Sequence, residues 1–225
     1  ETNAPYGIAK KALMQLIISY KEQYGFNGIN LIPVNMYGPH DNFNPESSHV
    51  IPALIKKVED AGINGDVEIW GTGSASREFL HVKDSARGIV MAAESYEEGE
   101  PVNLGTNSEI KIKSLVDIIR TDMGHQGNVI YDTSKPDGQP RRCLDVSKAK
   151  IKFGFEAQIS LEVGIRETIE WYKNSRDEQL DPVDSEKILQ PYKLQFAYDK
   201  DDNRSIAGKI KDSNLDLKNQ FTLVV

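Results

Sequence analysis

Apolar and polar positions alternate along this chain with two different periods, and the switches between them mark out its elements. From residue 4 to residue 24 the apolar residues recur at helical spacing, with Ile8, Ala12 and Leu16 on one line and Ala9, Leu13 and Ile17 on the next. Asn3 suits the N-cap, Pro5 the first turn, where its missing N–H costs little, and Gly25 the stop. GINLIPVNMYG then predicts a buried strand running into a loop, punctuated by Pro33 and Gly38. GPHDNFNPESS reads as a loop, and residues 49 to 61 as a second helix capped by Ser47 or Ser48. Strands are predicted at VEIWG, within GTGSASREFLHV, at PVNLG and at NVIYDTS. Helices are predicted from Asp84 to about Tyr96, after Ile110, and over residues 160 to 174. KPDGQPRRCLDVSKAKIKFGF reads as an ordered loop followed by a short helix. Strands and helices in alternation mean an α/β architecture.

Beyond this unit the pattern changes. Residues 176–190, with the acidic stretch SRDEQLDPVDSE around them, read as a linker. Tyr192, Leu194, Phe196 and Tyr198 then alternate with Lys193, Gln195 and Ala197, the signature of a half-buried strand. Residues 191–225 therefore read as a β-rich segment, the start of a further domain.

Composition narrows the function. The 225 residues suit one good-sized domain, or part of a larger one plus an appendage. With 39% hydrophobic and 27% charged residues the chain belongs with soluble globular proteins rather than disordered ones. A net charge of −7 argues against nucleic acid as a partner but leaves room for a phosphorylated small molecule at a local basic cluster. Cys143 is the single cysteine, which precludes an internal disulfide and fits a cytoplasmic location. No apolar run approaches the ~18 residues of a membrane span, and four scattered histidines with one cysteine make no metal-site spacing.

A few residues carry candidate chemistry. Tyr6 and Lys10 stand four apart on one helix face. A lysine ammonium beside a phenol favours the phenolate, so such a pair can exchange a proton with a developing alkoxide; equally, the two can be a solvated helix face. His49 reads either as a capping or surface residue or as an acid, Trp70 as a core aromatic or a substrate contact, and Arg77 as a partner of Glu78 or Asp84 or as an anion ligand. His81 reads as structural, and His40 and His125 as loop residues without an evident partner.

PYGIAK, SYKEQYG, NMYGPHDNF, SSHVIPAL, IWGTGSASREFLHVKD, NLGT and SKPDGQPRRCLDVSK together resemble the extended short-chain dehydrogenase/reductase superfamily, and within it the GDP-L-fucose synthases. The Tyr-x-x-x-Lys and REFLHV elements belong to the wider superfamily, whereas GPHDNFNPESSHVIPAL and SKPDGQPRRCLD are the specific parts. The resemblance covers residues 1–175, and implies the C-terminal part of a Rossmann-type fold with its small substrate-binding domain. The implied activity is NADPH-dependent 3,5-epimerisation and 4-reduction of GDP-4-keto-6-deoxy-D-mannose to GDP-L-fucose, by a homodimer. By this resemblance Tyr6 matches the proton donor to C4, and Lys10 the lysine that holds the cofactor ribose and lowers the tyrosine pKa. Pro33, Val34, Asn35 and Met36 match the loop against the nicotinamide. His49 matches the acid of the epimerisation steps and counts among the cofactor contacts. Asn3, Lys57, Trp70 and Arg77 match substrate contacts, and Arg141 a diphosphate contact. Cys143 is expected to be packing, because the family's catalytic cysteine lies upstream of the tyrosine helix.

None of the 17 glycines falls into the G-x-x-G-x-x-G or G-x-G-x-x-G spacing of a dinucleotide-binding turn. The resemblance therefore implies that about 130 residues of a full enzyme precede this stretch, and that the chain alone binds NADP weakly or not at all. Two other readings stand beside it. One is another nucleotide-sugar epimerase, dehydratase or reductase; the other is a non-catalytic module that binds a nucleotide sugar or dimerises.

Overall fold

The computed structural model describes residues 4–177 together with the pair 223–224. Asn3, the linker at 176–190 and most of the β-rich segment at 191–225 lie outside the described residues, apart from the helical backbone of 176 and 177 and the pair at 223–224. In chain order the elements are α1 (Ala4–Tyr24), β1 (Ile29–Pro33), β2 (Asn35–Tyr37), α2 (Val50–Ala61), β3 (Val67–Trp70), β4 (Ser76–His81), α3 (Val82–Ser95) and β5 (Val102–Leu104). There follow β6 (Glu109–Lys111), α4 (Ile112–Asp122), β7 (Val129–Asp132), β8 (Arg141–Arg142), α5 (Ser147–Phe153), α6 (Leu161–Asp177) and β9 (Leu223–Val224).

Three small sheets organise these elements. β1 lies between β5 and β9, both parallel to it. β4 lies between β2, which is parallel, and β6, which is antiparallel, and it also pairs with β8. β3 and β7 form a parallel pair. Two hydrophobic cores result. Ile29, Leu31, Leu80, Ala92, Val102, Leu104, Phe153 and Phe155 pack under α3 and α5. Tyr37, Ile51, Ile55, Val67, Phe79, Leu115, Ile119, Ile165 and Ile169 pack among α2, α4 and α6. The helices α2, α3, α4 and α6 each turn an apolar stripe to one of these cores, which is where most of their stability originates.

The element ends show where side chains override simple capping rules. α2 begins at Val50, one residue later than expected, and the cap position belongs to His49, which makes no side-chain cap bond. The N–H groups of Ser47 and Ser48 instead donate to the Asn44 carbonyl in the preceding turn. α3 begins at Val82 rather than at Asp84, and the buried His81 caps it by accepting from the Lys83 N–H at 3.4 Å. His81 is therefore structural, as expected, and burial foremost lowers its pKa. His40 and His125 do have partners. The His40 ring lies 4.9 Å from that of Trp171, and His125 Nδ1 sits 2.7 Å from the Gly62 carbonyl.

α1 spans the predicted residues and ends at Gly25, whose φ of 67° is open to glycine at little cost. Its packing differs from the expected stripes. Of Ile8, Leu13, Leu16 and Ile17, only Ile17 is buried, and Ile8 is 68% exposed. The face turned to β1 runs through Met14, Ile17 and Ile18, and Asn30 on β1 fastens it by donating from Nδ2 to the Met14 carbonyl.

Asp84 joins α3 to the segment before α6. Its carboxyl accepts from Arg87 at 2.9 Å and from the Gln158 and Ile159 N–H groups at 2.8 Å each. Burial alone would raise its pKa, but the Arg87 bond and the two N–H groups outweigh burial and lower it. A carboxylate depressed in the folded state stabilises above its unfolded pKa of about 3.9, and that stability is lost as pH falls through and below this range. Asp84→Asn is expected to destabilise the chain by about 2 kcal/mol at pH 7 and to flatten the acid limb below about pH 4, in urea melts across pH. Leu115→Ala, at a fully buried position of the α2/α4/α6 core, is expected to cost about 3 kcal/mol in the same assay.

Candidate functional site

The residues expected to act fall into two groups, one on each core. Tyr6 and Lys10 stand on α1, which packs on β1. Tyr6 is 65% exposed, and the Lys10 ammonium lies 5.6 Å from its ring centroid. The pair is thus adjacent as the i, i+4 spacing requires, with the cation over the ring face. Pro33 ends β1, Val34 links it to β2, and Asn35 and Met36 lie on β2, all four half-buried. Ladder and side-chain bonds fix this segment. The Val34 N–H donates to Leu104 O at 2.9 Å, Asn35 Nδ2 donates to Glu78 O at 3.0 Å, and the Ser85 hydroxyl donates to Met36 Sδ at 3.1 Å. The segment follows the carboxyl end of a strand in the parallel β1·β5 pair, where open α/β sheets bind their ligands.

His49 stands beyond β2, just ahead of α2. Its side chain is 77% exposed and its Nδ1 lies 3.6 Å from Asp41 Oδ1. A carboxylate at Nδ1 orients the imidazole and leaves Nε2 as the nitrogen that can reach a substrate.

The second group surrounds β3, β4 and β8. Trp70 ends β3 and is 64% exposed, so it is not a core aromatic. Lys57 on α2 holds its ammonium 5.3 Å from the indole centroid while donating to Glu68 O at 2.9 Å. Lys135, which sequence reading passed over, brings a second ammonium to 5.8 Å. Two cations beside an exposed indole suit a phosphorylated ligand with a planar base.

Arg77 pairs with neither Glu78 nor Asp84, the alternatives open from sequence. Its Nη1 donates to Ser76 O and to Gln139 O, both at 2.7 Å. Strand register places Arg77 opposite Arg142, and Ser76 opposite Arg141. Burial and then the neighbouring Arg142 charge lower the Arg77 pKa. Two like charges in register make a place for an anion. Arg141, by contrast, is engaged. Its Nε donates to both Glu109 oxygens, at 2.8 and 3.0 Å, and the Ser76 hydroxyl donates to the same carboxylate.

The loop between β7 and β8 closes over this group through Asp137. Its carboxylate accepts from the Thr72 N–H at 2.6 Å and from the Thr72 hydroxyl at 2.8 Å, and these bonds lower its pKa. Gly71 and Gly73, with φ of 79° and 69°, supply the turn that presents Thr72 to it. The KPDGQPRR motif marked this loop, but the roles of Lys135, Asp137 and Arg142 depend on a partner strand some 60 residues away, and local pattern carries no trace of that.

β4 ties the second group to the Pro33–Met36 segment. β2 pairs with β4 in the register Asn35↔Phe79, two residues beyond Arg77. α1 reaches the same region through β1. Among the described residues no group of three or more His, Cys, Asp or Glu side chains is placed to hold a metal ion. No described helix is long and apolar enough to cross a membrane.

Residues 1–105 match the model of the NAD dependent epimerase/dehydratase family. The chain is 43% identical over 173 residues to the probable GDP-L-fucose synthase 1 of Oryza sativa subsp. japonica, covering 76% of this chain and 52% of that protein. It is 41% identical over 187 residues to the GDP-L-fucose synthase of Escherichia coli (strain K12), covering 78% and 58%. Among solved structures, the GDP-L-fucose synthetase from Naegleria fowleri bound to NADP superposes with a TM-score of 0.72 at 31% identity, over 78% of this chain and 57% of that one. The chain therefore spans about half the length of the curated relatives it matches. The family match covers the elements from α1 to β5, and over 76–78% of its length the chain is similar to GDP-L-fucose synthases.

Proposed function

We propose that this chain is the substrate-binding, C-terminal portion of an NADPH-dependent enzyme that epimerises GDP-4-keto-6-deoxy-D-mannose at C3 and C5 and reduces it at C4 to GDP-L-fucose. The observation that carries the reading is the cluster of Lys57, Trp70, Lys135, Arg77 and Arg142 around β3, β4 and β8. On this reading Trp70 faces the base of the GDP-sugar, and Arg77 and Arg142 bind its diphosphate. Arg142 rather than Arg141 is the second diphosphate ligand, because Glu109 already engages Arg141. Asn3 remains a proposed sugar contact.

On this reading the cofactor is NADP, to which the Naegleria fowleri relative is bound, and the bound NADPH would supply the hydride for the 4-reduction. The residues present suit its nicotinamide end, since Pro33, Val34, Asn35 and Met36 lie at the carboxyl end of a parallel strand. Lys10 would hold the ribose, and Tyr6 would deliver the proton to the C4 oxygen. His49, oriented by Asp41, would exchange the proton next to the ketone during epimerisation. We further propose that residues 1–175 form one working unit with two cores, followed by a linker at 176–190 and a separate segment at 191–225. The exposed apolar line of α1, with Ile8, Leu13 and Leu16, would be covered by the rest of the enzyme and by a second subunit in a homodimer.

Calorimetric titration with GDP tests the site. Arg77→Ala and Arg142→Ala should each weaken binding by about tenfold, and Arg141→Ala should leave it nearly unchanged. Equal affinity in the chain and Arg77→Ala would remove the site. In the full-length parent, Tyr6→Phe should lower NADPH oxidation with GDP-4-keto-6-deoxy-D-mannose about 100-fold or more while GDP affinity holds. A parent without turnover, or a Tyr6→Phe variant with undiminished turnover, would refute the assigned chemistry.

A further inference from the structure

Arg77 is followed on β4 by a glutamate that is 1% exposed. Glu78 Oε1 accepts from the Thr106 N–H at 2.7 Å and from the Asn107 N–H at 2.8 Å. Oε2 accepts from the Leu144 N–H at 2.9 Å, and the Thr106 hydroxyl adds a longer bond of 3.4 Å. One carboxyl group therefore fastens three stretches that are distant in sequence: β4, the turn after β5, and the segment after β8. All of these partners are donors, as an acceptor-only carboxylate requires. The turn is shaped to receive it. Asn107 takes a left-handed φ of 58° to present its N–H, and a Cβ on Gly105 would overlap Oε1.

Ahead of Arg142 the backbone is held by the Ser76 N–H on Pro140 O at 2.9 Å and by Arg77 on Gln139 O at 2.7 Å, and past it by Asn103 on Asp145 O at 2.8 Å and by Glu78 on Leu144. β8 is two residues long, and so short a strand contributes little alone. The Arg141–Glu109 pair beside it is largely solvent-exposed on the arginine side, at 67%, and exposed pairs are weak. Arg142 and Arg77 repel one another. The bond from Leu144, two residues past Arg142, is by contrast half-buried and made to a buried carboxylate.

We propose that Glu78 is the positioning residue of the anion site: by anchoring Leu144 it fixes β8 in register on β4 and holds Arg142 beside Arg77 before ligand arrives. The proposal rests on the reading of those two arginines as the diphosphate site. A preorganised pair binds tighter because ligand need not supply the ordering.

Glu78→Gln keeps the volume but turns an amide N–H₂ toward a backbone N–H donor. In GDP calorimetry on the chain it should raise Kd by about tenfold. Amide exchange at Leu144 should accelerate while thermal unfolding stays cooperative. In an Arg142→Ala background the same substitution should add less than about twofold, a coupling that a general loss of stability would not produce. Glu78→Gln with native GDP affinity, alongside a weakened Arg77→Ala, overturns the proposal. Native affinity in Arg77→Ala itself overturns the site reading beneath it. Gly105→Ala, which displaces the carboxylate without removing its charge, should weaken GDP binding in the same way if Glu78→Gln does not fold. On the unmodified chain, saturating GDP should slow exchange of the Thr106, Asn107 and Leu144 amides together, and unchanged rates there also overturn the proposal.

Discussion

Strand β4 is buried on both faces, and each face belongs to a different core. Phe79 points into the core formed with α2, α4 and α6, while Leu80 points into the core formed with β1, β5 and α3. Successive residues of a strand face opposite sides, so the two cores meet across a single backbone. The same alternation puts Glu78 on the Leu80 side, toward β5 and the turn at Thr106. A one-residue slip would move Phe79, Leu80 and Glu78 to the wrong faces together. The register of β4 is therefore determined several times over, and every residue attached to it inherits that precision. Arg77, the Asn35 contact and the His81 cap of α3 are all attached to it.

Much of this was legible in the sequence. The period of 3.6 placed α1, α2, α4 and α6, and the apolar runs placed β1, β3 and β5. Tyr6 and Lys10 were legible as neighbours because they belong to one helix. Most of what escaped pairs groups far apart along the chain, and the His81 cap on the Lys83 N–H, two residues on, is the local exception. His81 caps α3 because β4 delivers it there, so the Asp84 signal, a good local cap, misplaced the helix start. Asp84 instead faces inward to the Gln158 and Ile159 amides. Arg141 and Arg142 look equivalent as neighbours in KPDGQPRR. Only the opposing strands distinguish them, because Glu109 on β6 engages the first, and register sets the second opposite Arg77.

α1 makes the complementary case. Its sequence carries enough apolar residues for a well-covered helix, yet Ile8, Leu13 and Leu16 remain exposed while Ile17 is buried. Periodicity reports that an apolar face exists, and it does not report which body covers it. The helix is held from below by Ile17 and by the Asn30 bond to Met14, and also by the Lys21 ammonium on the Glu97 carbonyl. These contacts secure its second half more than its first, which is where Tyr6 and Lys10 stand.

On the proposed reading, the diphosphate cations and the Tyr6–Lys10 pair are divided between the two cores. The cations that suit a diphosphate sit on β4, β8, α2 and the loop before β8; the Tyr6–Lys10 pair sits on α1 above β1. Recognition of the nucleotide end of a substrate would occur remote from the carbon that reacts. Binding energy gained there can be used to hold the sugar against the proton donor, provided the two cores do not move relative to each other. The parts that prevent such movement are the β2·β4 pairing, which runs from the Pro33–Met36 segment into the arginine strand, and the Asn35 bond to the Glu78 carbonyl. Asn35 was expected to serve the cofactor. Its side chain also fastens the strand that carries Arg77, so this amide adds to the β2·β4 ladder in aligning the two halves of the site.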